Sequence, residues 1–305
     1  MPTTQPDPIA DATTELTPAS ALKRAEVLVE ALPYIRRFQG QLVVVKLGGA
    51  AMDEGQARDT VLQDLVLLRF VGLRPVLVHG GGKEITAMAG ALGLTTQFVD
   101  GLRVTDDKTM EVAKMVLTGK INPDLVGSIH RLGGRAMGLS GEDGPSILVR
   151  RLLGPGGADL GRVGEIQEVN AEPVLTIAER GMIPVVASIG LGYDGLAYNV
   201  NADTVAASLA AELHASKLLL LTDVPGVRDG QGEFQSRLNV DQAMALALDG
   251  SASDGMIPKL KAACAAARAG VTVHIVDGRQ PHSILLELLT EAGVGTMIDP
   301  VPADG

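Results

Sequence analysis

Runs of consecutive apolar residues alternate along the chain with segments in which apolar positions recur every three or four residues. The first pattern is typical of strands buried on both faces, and the second is typical of amphipathic helices. Their repeated alternation predicts an α/β fold in which helices cover both faces of a mostly parallel sheet. The predicted strands are Leu42–Leu47, Pro75–His79, Ala136–Ser140, Ile183–Ile189, Lys217–Thr222 and Val271–Val276, and the predicted helices are Ala57–Val71, Lys83–Leu92, Asp107–Leu117, Pro123–Leu132, Pro173–Arg180, Asp203–Leu213, Val240–Leu248 and Ile257–Ala269.

Two segments depart from this alternation. Residues 146–170 contain two short extended stretches around Gly154–Gly157, which predicts hairpins outside the main sheet and a lid or wall of a substrate pocket. Glycines cluster again over Gly190–Asn199, where we expect a hinge between an N-terminal and a C-terminal lobe. That cluster also spells G-x-G-x-x-G, but Asp194 and Gly195 signal a turn and no helix follows at once. Coincidence is therefore favoured over a dinucleotide site.

The start of the chain predicts two further elements. Residues 1–17 are rich in Pro, Thr and Asp and lack the basic and apolar regions of a signal peptide, so we expect a disordered tail. Residues 18–40 predict an N-terminal amphipathic helix, and such a terminal helix usually packs on its own domain. Its apolar stripe consists of Leu22, Ala25, Leu28 and Val29.

Composition and charge narrow the function. Of the 305 residues 46% are hydrophobic, enough to bury a large core, whereas only 2% are aromatic and none is Trp, which disfavours a base-stacking surface. The 36 acidic and 26 basic residues give a net charge of −10, which disfavours binding to nucleic acid or to anionic membranes. No apolar run reaches the roughly 18 residues of a membrane span. The single cysteine, Cys264, cannot form an internal disulfide, which favours a cytoplasmic location.

Two apolar strands run straight into glycines. Val43–Gly49 contains Lys46 and ends in two glycines, and Val76–Gly82 ends in three. Such turns aim several main-chain N–H groups at one point, which attracts anions. There is no G-x-x-x-x-G-K-[ST] motif, so the chain is not a P-loop protein. Phosphoryl transfer on another scaffold is the first hypothesis.

Polar residues follow in two later segments. Asn199, Asn201 and Asp203 alternate just before a predicted helix, where one of them would suffice as a helix cap. Lys259 follows Pro258 near the start of another helix, against the favourable sign of the helix dipole, which indicates a nearby anion. Taken alone, Lys46 and Lys259 would each be read as solvated surface lysines, and Arg103 as an ordinary loop arginine.

Six motifs taken together resemble the acetylglutamate kinases of the amino-acid kinase family, from about residue 32 to residue 298. The resemblance implies a three-layer α/β/α sandwich with an acetylglutamate-binding lobe at 41–195 and an ATP-binding lobe at 196–305. It also implies transfer of the γ-phosphoryl group of MgATP to the side-chain carboxylate of N-acetyl-L-glutamate, the second step of arginine biosynthesis. The motifs are Val45–Gly49, His79–Gly82, Gly101–Asp106, Tyr198–Asp203, Leu221–Gly226 and Gly255–Lys259.

The resemblance also implies residue roles. Lys46 and Lys259 stabilise the transition state from opposite sides, and Asp203 lies between them and keeps both protonated. Arg103 holds the α-carboxylate of acetylglutamate, and Asn199 completes the substrate site. Mg²⁺ rides on ATP oxygens and water, without a protein metal ligand. The remaining site residues are Gly48, Gly49, Gly81 and Gly82, whose N–H groups face the phosphoryl oxygens and the substrate, and Thr222, Asp223 and Met256, which line the nucleotide pocket.

A regulatory site follows from the same resemblance. Family members inhibited by arginine carry an N-terminal helix that interlaces dimers into a ring-shaped hexamer, a trimer of dimers, so residues 18–40 are assigned to oligomerisation. L-arginine is the expected inhibitor, and a PII-type signalling protein is a candidate partner. Glu287 would hold the cationic end of arginine, His274 and Gly293 would contact it, and Tyr34 and Arg37 would lie at the helix junction.

Two other functions compete with this one. A sibling kinase of lysine synthesis acts on N-acetyl-aminoadipate, or its carrier-linked form, whose side chain is one methylene longer. In this chain, Arg103 within the Gly101–Thr105 motif favours the glutamate enzyme. A catalytically silent arginine sensor would be marked by loss of Lys46, Lys259 or Asp203, and all three are present. His79 is interpreted as ending a strand and fixing the glycine turn rather than as a catalytic base, because an ionised carboxylate has no proton to lose.

Overall fold

A computed structural model describes residues 18–49, 52, 55–99, 101–250, 252–253, 255–290 and 293–301. The predicted tail at 1–17 lies outside these residues. Among the described residues, no helix is long and apolar enough to cross a membrane.

An eight-stranded sheet forms the centre of the molecule. Neighbouring strands pair in parallel except for one antiparallel pair near an edge, β15 with β16. The predicted mostly parallel sheet is therefore confirmed. From one edge to the other, the strands are β14 (Arg237–Leu238), β16 (Thr296–Ile298), β15 (Thr272–Asp277), β11 (Lys217–Thr222), β1 (Leu42–Leu47), β2 (Arg74–His79), β8 (Ile183–Ala187) and β5 (Ala136–Ser140).

Ten α-helices lie among the described residues, and the eight predicted within the α/β core begin and end within two residues of the predicted bounds. The helices are α1 (Pro18–Phe38), α2 (Gly55–Phe70), α3 (Gly82–Ala91), α4 (Asp107–Val116), α5 (Asn122–Arg131), α6 (Glu172–Glu179), α7 (Ala202–Glu212), α8 (Val240–Leu248), α9 (Met256–Arg268) and α10 (Ser283–Leu289).

Helices pack on both faces of the sheet, so the architecture is a three-layer α/β/α sandwich. Side chains of a strand alternate between its faces, and β1 illustrates the result. Val44 belongs to one apolar cluster, with residues of α7 and α9, while Val43 and Val45 belong to another, with residues of α2. All three side chains are fully buried. The continuous sheet joins both predicted lobes, whose boundary at residue 195 stays a prediction.

A small closed barrel lies beside the main sheet. It consists of β6 (Ile147–Leu153), β7 (Asp159–Val169), β9 (Ile189–Gly192) and β10 (Ala197–Asn199). The hairpins expected at 146–170 are present as β6 and β7, which pair antiparallel. Residues 190–199, where a hinge was expected, form the β9–β10 hairpin. A Cβ on Gly190 would overlap the side chain of Val149, so this glycine permits close strand packing rather than a bend.

The predicted strand 183–189 is interrupted in the structure. β8 ends at Ala187, and Ile189 begins β9, which pairs with β6 and β10 instead of the main sheet. The apolar run therefore serves two sheets in succession. Sequence pattern alone could not divide it, because both parts are buried.

Helices α4 and α5, predicted as separate, are joined by a π-turn at Leu117–Ile121. The N–H of Asn122 bonds to the carbonyl of Leu117, five residues earlier. Such single π-turns within helices are often found at functional sites.

The N-terminal helix α1 lies at the surface and packs against α10. Its last residue, Phe38, is buried, whereas several apolar side chains of the helix face outward. The exposed members are Leu22, Val27, Val29 and Leu32.

Candidate active site

A cavity of about 430 Å³ opens where β1 and β2 end. Ligands of open parallel sheets bind at this edge, outside the carboxyl ends of the strands. The structure brings together here residues that are more than 150 positions apart in sequence. The predicted site residues that line the cavity are Lys46, Gly48, Gly49, Gly81, Gly82, Arg103, Asn199 and Asp203.

Two lysines converge on one carboxylate at the edge of the cavity. Lys46, near the end of β1, places its Nζ 2.9 Å from Oδ1 of Asp203. Lys259, one turn into α9, places its Nζ 2.9 Å from Oδ2 and 3.2 Å from Oδ1. Asp203 lies in the first turn of α7 and is buried, as is Lys46. The expected position of Asp203 between the two lysines is thus the observed one.

The cluster carries a net positive charge, since two ammonium groups share one carboxylate. Burial opposes ionisation of Asp203, but Lys46 and Lys259 outweigh it and hold the pKa of Asp203 below its usual value. Burial lowers the pKa of Lys46, and the charge of Lys259 adds to that effect, while Asp203 counteracts both. An ammonium group has three donors. The cluster can therefore bind an additional anion, and that anion would favour the charged form of Lys46.

Gly48 is required by the path of the Lys46 side chain. A Cβ at Gly48 would overlap Nζ of Lys46 and lie 3.0 Å from its Cε. The lysine therefore folds back over the turn that follows its own strand. Gly49 has φ +61°, in the left-handed region that favours glycine. Both glycines shape the cavity wall beside the ammonium group.

The second glycine turn leads from β2 into α3. Gly81 is the residue before the first helical position, Gly82. The N–H groups of a helix's first turn have no partner within the helix, and this end carries the positive part of the helix dipole. The turn therefore presents main-chain donors to the cavity.

Arg103 lines the same cavity and is held in place by several contacts. It lies in β4 (Leu102–Arg103), which forms a short hairpin with β3 (Phe98–Val99). Its Nη2 donates to the carbonyl of Gly82 at 2.6 Å and to Oγ1 of Thr86 at 2.8 Å. The guanidinium carbon lies 4.8 Å from the ring centroid of Phe98. The side chain is 7% exposed, and its buried Nη1 has no partner within the described part of the chain.

A buried guanidinium nitrogen without a partner among the described residues is a donor available to an anion, because an unsatisfied buried donor is costly. Burial lowers the pKa of Arg103 from its very high usual value, which leaves the group charged. Asn199, in β10, lies nearby in the cavity wall, with its Nδ2 3.4 Å from Oγ1 of Thr105. This part of the cavity fits a carboxylate and a neighbouring polar group.

The alternating polar residues before α7 divide their tasks. Asn201 is the helix cap, since its Oδ1 accepts hydrogen bonds from the N–H groups of Asp203 and Thr204. Asp203 is not needed as a cap, and its carboxylate binds the two lysines. The simple capping interpretation is therefore right for Asn201 only.

A second cavity, of about 630 Å³, lies beside the start of α9 and is lined by Met256. It extends between the β11–β12 loop and the end of α8, where β12 is Val227–Arg228. Thr222, the last residue of β11, and Asp223 do not line this cavity. They come directly before Val224, which does. Thr222 Oγ1 and Asp223 Oδ1 are 3.4 Å apart.

Of the residues predicted to bind arginine, the structure brings His274, Glu287 and Gly293 together beside β15. Nδ1 of His274, in β15, is 2.5 Å from Oε1 of Glu287, in α10. Oε2 of Glu287 accepts from the N–H of Val294 at 2.9 Å, and a Cβ at Gly293 would lie 3.2 Å from Oε1. Tyr34 and Arg37 lie on α1, which packs against α10. Their role as an arginine site stays a prediction.

The sequence analysis did not identify three residues that support the candidate sites. Thr86 and Phe98 fix Arg103, and Lys217 lies beneath α1, with its Nζ 5.5 Å from the ring centroid of Phe38. Burial lowers the pKa of Lys217 below its usual value, and the opposing effect of Glu287 is smaller. The only signal for Lys217 in the sequence was a charged residue at the start of a buried strand.

Acidic, histidine and cysteine side chains do not gather in groups of three or more that could hold a metal ion, within the residues described.

Comparison with known proteins agrees with this architecture. The profile of the amino acid kinase family matches residues 41–277. The chain is 48% identical over 283 residues to an acetylglutamate kinase of Syntrophomonas wolfei subsp. wolfei, an alignment that covers 92% of this chain and 98% of that one. The chain belongs to the amino acid kinase family.

Solved structures of a larger enzyme are also similar. N-acetylglutamate synthase from Neisseria gonorrhoeae complexed with coenzyme A and N-acetyl-glutamate matches with a TM-score of 0.81 and 28% identity over 92% of this chain. The same synthase complexed with coenzyme A and L-arginine matches with a TM-score of 0.77 and 27% identity over 91% of this chain. This chain spans 64% and 65% of the two synthase chains.

Proposed function

We propose that the chain is an acetylglutamate kinase, which transfers the γ-phosphoryl group of MgATP to the side-chain carboxylate of N-acetyl-L-glutamate. The products are ADP and N-acetyl-L-glutamyl 5-phosphate, and the reaction is the second step of arginine biosynthesis. The observation that carries the proposal is the Lys46–Asp203–Lys259 cluster beside a cavity that Arg103 also lines, with an Nη1 that has no partner among the described residues. The identity with acetylglutamate kinases supports the choice of substrate.

The reaction needs charge and alignment rather than proton transfer. The nucleophile is a carboxylate, ionised at neutral pH because its pKa is about 4. Two anions must approach each other while negative charge spreads over the transferring oxygens. Lys46 and Lys259 neutralise this charge from two elements, β1 and α9, and Asp203 holds both ammonium groups in position. N–H groups of Gly48, Gly49, Gly81 and Gly82 add donors around the same oxygens.

Each end of acetylglutamate has a partner in the cavity. The α-carboxylate binds the Nη1 side of Arg103, whose Nη2 is already fixed by Gly82 and Thr86. Asn199 hydrogen-bonds the acetylamino group. The side-chain carboxylate then points toward Lys46, across the cavity. A charge-assisted contact with a rigid guanidinium fixes the orientation of the substrate as well as its affinity.

ATP enters from the second cavity, which Met256 lines. Thr222 and Asp223, at the end of β11, contact the nucleotide at the mouth of that cavity. Lys259 follows Met256 by one turn of α9 and so connects the nucleotide side to Asp203. Mg²⁺ arrives with ATP and is bound mainly by phosphate oxygens and water.

L-arginine inhibits the enzyme by binding among α1, β15 and α10. Glu287 supplies the negative charge for the cationic end of arginine, and His274 and Gly293 lie beside it. Tyr34 and Arg37 close the site from α1. A synthase similar to this chain has been solved with L-arginine, which supports this ligand.

The assembly we propose is a cytoplasmic hexamer, a trimer of dimers linked by α1. The outward-facing apolar residues Leu22, Val29 and Leu32 supply the contact surface. A PII-type signalling protein is a candidate partner of this hexamer.

The substrate test uses hydroxylamine, which converts an acyl phosphate into a coloured hydroxamate. We expect colour with N-acetyl-L-glutamate and MgATP, and much less with N-acetyl-aminoadipate. One methylene is worth only about 1–3 kcal/mol in a pocket, so the two acids must be compared by kcat/KM. Preference for the longer acid would assign the chain to lysine synthesis. Arginine binding without colour from either acid would indicate the silent sensor.

A further inference from the structure

His79 is buried directly behind the second glycine turn. It is the last residue of β2 and is fully buried. Its Nδ1 lies 3.1 Å from the carbonyl oxygen of Gly80, and its Nε2 lies 3.0 Å from Nδ2 of Asn122. The proposed reaction does not use this side chain as an acid or a base. Its contacts with the turn therefore need another explanation.

The contacts select a single tautomer of His79. Nδ2 of Asn122 also lies 2.8 Å from the carbonyl oxygen of Val185, which only accepts, so the atom facing His79 is the amide nitrogen. Nε2 of His79 accepts from that nitrogen and carries no hydrogen. The hydrogen is on Nδ1, which donates to Gly80. Burial lowers the pKa of His79 to about 4, so the ring stays neutral at neutral pH.

This hydrogen bond orients the peptide unit between Gly80 and Gly81. A trans peptide is planar, with its carbonyl and N–H on opposite sides. Holding the Gly80 carbonyl toward the buried ring of His79 therefore turns the N–H of Gly81 away from it. Both glycines line the main cavity, and Gly81 precedes the first residue of α3, so its N–H has no partner within the helix.

The π-turn at Leu117–Ile121 brings the supporting residues to one face. Residues five apart on an α-helix are separated by about 140°. The hydrogen bond from the N–H of Asn122 to the carbonyl of Leu117 instead places Asn122 above Leu117. A Cβ on Gly81 would overlap Cδ1 of Ile121 and lie 2.9 Å from Cδ2 of Leu117. One turn thus supports both Gly81 and the ring of His79.

Gly138 leaves the space that the Asn122 amide needs. It lies in β5, and a Cβ there would overlap Oδ1 of Asn122. Asn122 is itself buried, and it links β8, through Val185, to His79 at the end of β2. The side of the turn that faces away from the cavity is thus closely packed, which helps to fix the orientation of the peptide.

We propose that His79 and Asn122 are positioning residues for phosphoryl transfer, because they fix the Gly80–Gly81 peptide with the Gly81 N–H toward the phosphoryl group. The inference rests on the proposed kinase function. His79 moves no proton in this role; it acts through the main chain. The π-turn supplies Asn122 and the apolar side chains behind Gly81.

Two substitutions of His79 separate this role from simple packing. In His79→Asn the side-chain amide occupies the place of Nδ1 and keeps a donor for the Gly80 carbonyl. In His79→Gln the amide reaches the place of Nε2 and leaves that carbonyl without its donor. We expect kcat to fall about 100-fold in His79→Gln and to stay within about tenfold of wild type in His79→Asn. KM for acetylglutamate should change less than kcat in both.

Crystal structures of the two variants and their Tm values complete the test. We expect the Gly80–Gly81 peptide to keep its orientation in His79→Asn and to rotate or become mixed in His79→Gln. The proposal is overturned when both variants lose activity equally and in proportion to Tm, or when the peptide is unmoved in an inactive His79→Gln. Because peptide orientation needs no turnover, it tests the positioning role even if wild type phosphorylates no acetylglutamate, which would refute only the kinase assignment.

Asn122→Leu is the second variant and leaves His79 in place. It replaces the amide that selects the tautomer with an apolar side chain of similar size. We expect a smaller fall in kcat, about tenfold, with the peptide in two orientations. An unchanged kcat together with a single unchanged orientation would show that the pair has no positioning role.

Discussion

Lys46, Asp203 and Lys259 define the charge of the site through a ratio of two cations to one anion. A buried ion pair of one cation and one anion is neutral and would attract an anionic substrate only weakly. This cluster instead has two ammonium groups for one carboxylate beside the cavity. Arg103 also has a donor available for an anion: its Nη2 is fixed by the carbonyl of Gly82, and its Nη1 has no partner among the described residues.

Replacing Lys259 by Ala tests the transition-state role. We expect kcat to fall about 100- to 1,000-fold, since one donor of this kind is lost from the transition state. The Kd of acetylglutamate, measured by calorimetry, should change less than about threefold, because in our proposal Arg103 and Asn199 hold that substrate. Lys261→Ala, an exposed lysine on the same helix, is the matched control and should leave both quantities unchanged. A Lys259→Ala variant with normal kcat would contradict the assignment.

Asp64 gives a prediction about pH and stability. It is buried in α2, with its Oδ1 2.6 Å from Nδ1 of His282, and burial raises its pKa from 3.8 to about 6. Between these values the folded protein binds more protons than the unfolded chain, so the free energy of unfolding falls as pH rises. Burial of the ionised Asp64 carboxylate lowers the free energy of unfolding by an amount on the order of 1–3 kcal/mol, and this destabilisation is fully present above pH 6.

Asp64→Asn removes this charge and keeps an acceptor for His282. We expect the variant to be more stable than wild type at pH 8 by that amount, and the difference to vanish near pH 4, as measured by urea unfolding. Asp59→Asn, on the exposed side of the same helix, is the control. Equal stability of Asp64→Asn and wild type at both pH values would show that Asp64 carries no such cost.

Among the elements, those with a strong local pattern were predictable and those defined by distant pairing were not. β1 and β11 match their predicted bounds, because each is a short apolar run on a fully buried face. The π-turn was missed because its apolar residues fit two ordinary helices equally well. The β9–β10 hairpin was not predicted, because Gly190 serves packing against Val149, a contact that no local pattern contains, and the hinge expected at these residues stays a prediction.

Helix α1 is the element with the clearest testable role. We propose that its exposed apolar residues serve assembly, and its packing against α10 places it beside the helix that carries Glu287. Deleting residues 1–32 keeps the buried Phe38, and we expect it to reduce the proposed hexamer to a smaller species and to weaken the proposed inhibition by arginine. Light scattering and inhibition curves measure the two effects. Deleting only residues 1–17 is the control, and an unchanged hexamer without α1 would refute the linking role.

At the scale of the whole molecule, the sequence predicted which strand ends line the main cavity better than it predicted the contacts that support them. Lys46 and the glycine turns follow predicted strands, so the rule for parallel sheets placed them at one edge. Two sets of contacts could not be predicted, because each joins segments that only the tertiary fold brings together. They are the contacts of Arg103 with Thr86 and Phe98, and the contact between His79 and Asn122. The missing signal was tertiary contact rather than residue type.

The transition-state role of the two lysines is the central claim, and binding of MgADP with aluminium fluoride and acetylglutamate measures it most directly. Mimics of the transition state bind at least about 100-fold tighter than substrates when the site is complementary to it. We predict that wild type gains this tightening when fluoride is added, and that Lys46→Ala and Lys259→Ala lose most of it while still binding acetylglutamate. Equal tightening in wild type and in both variants would contradict the account.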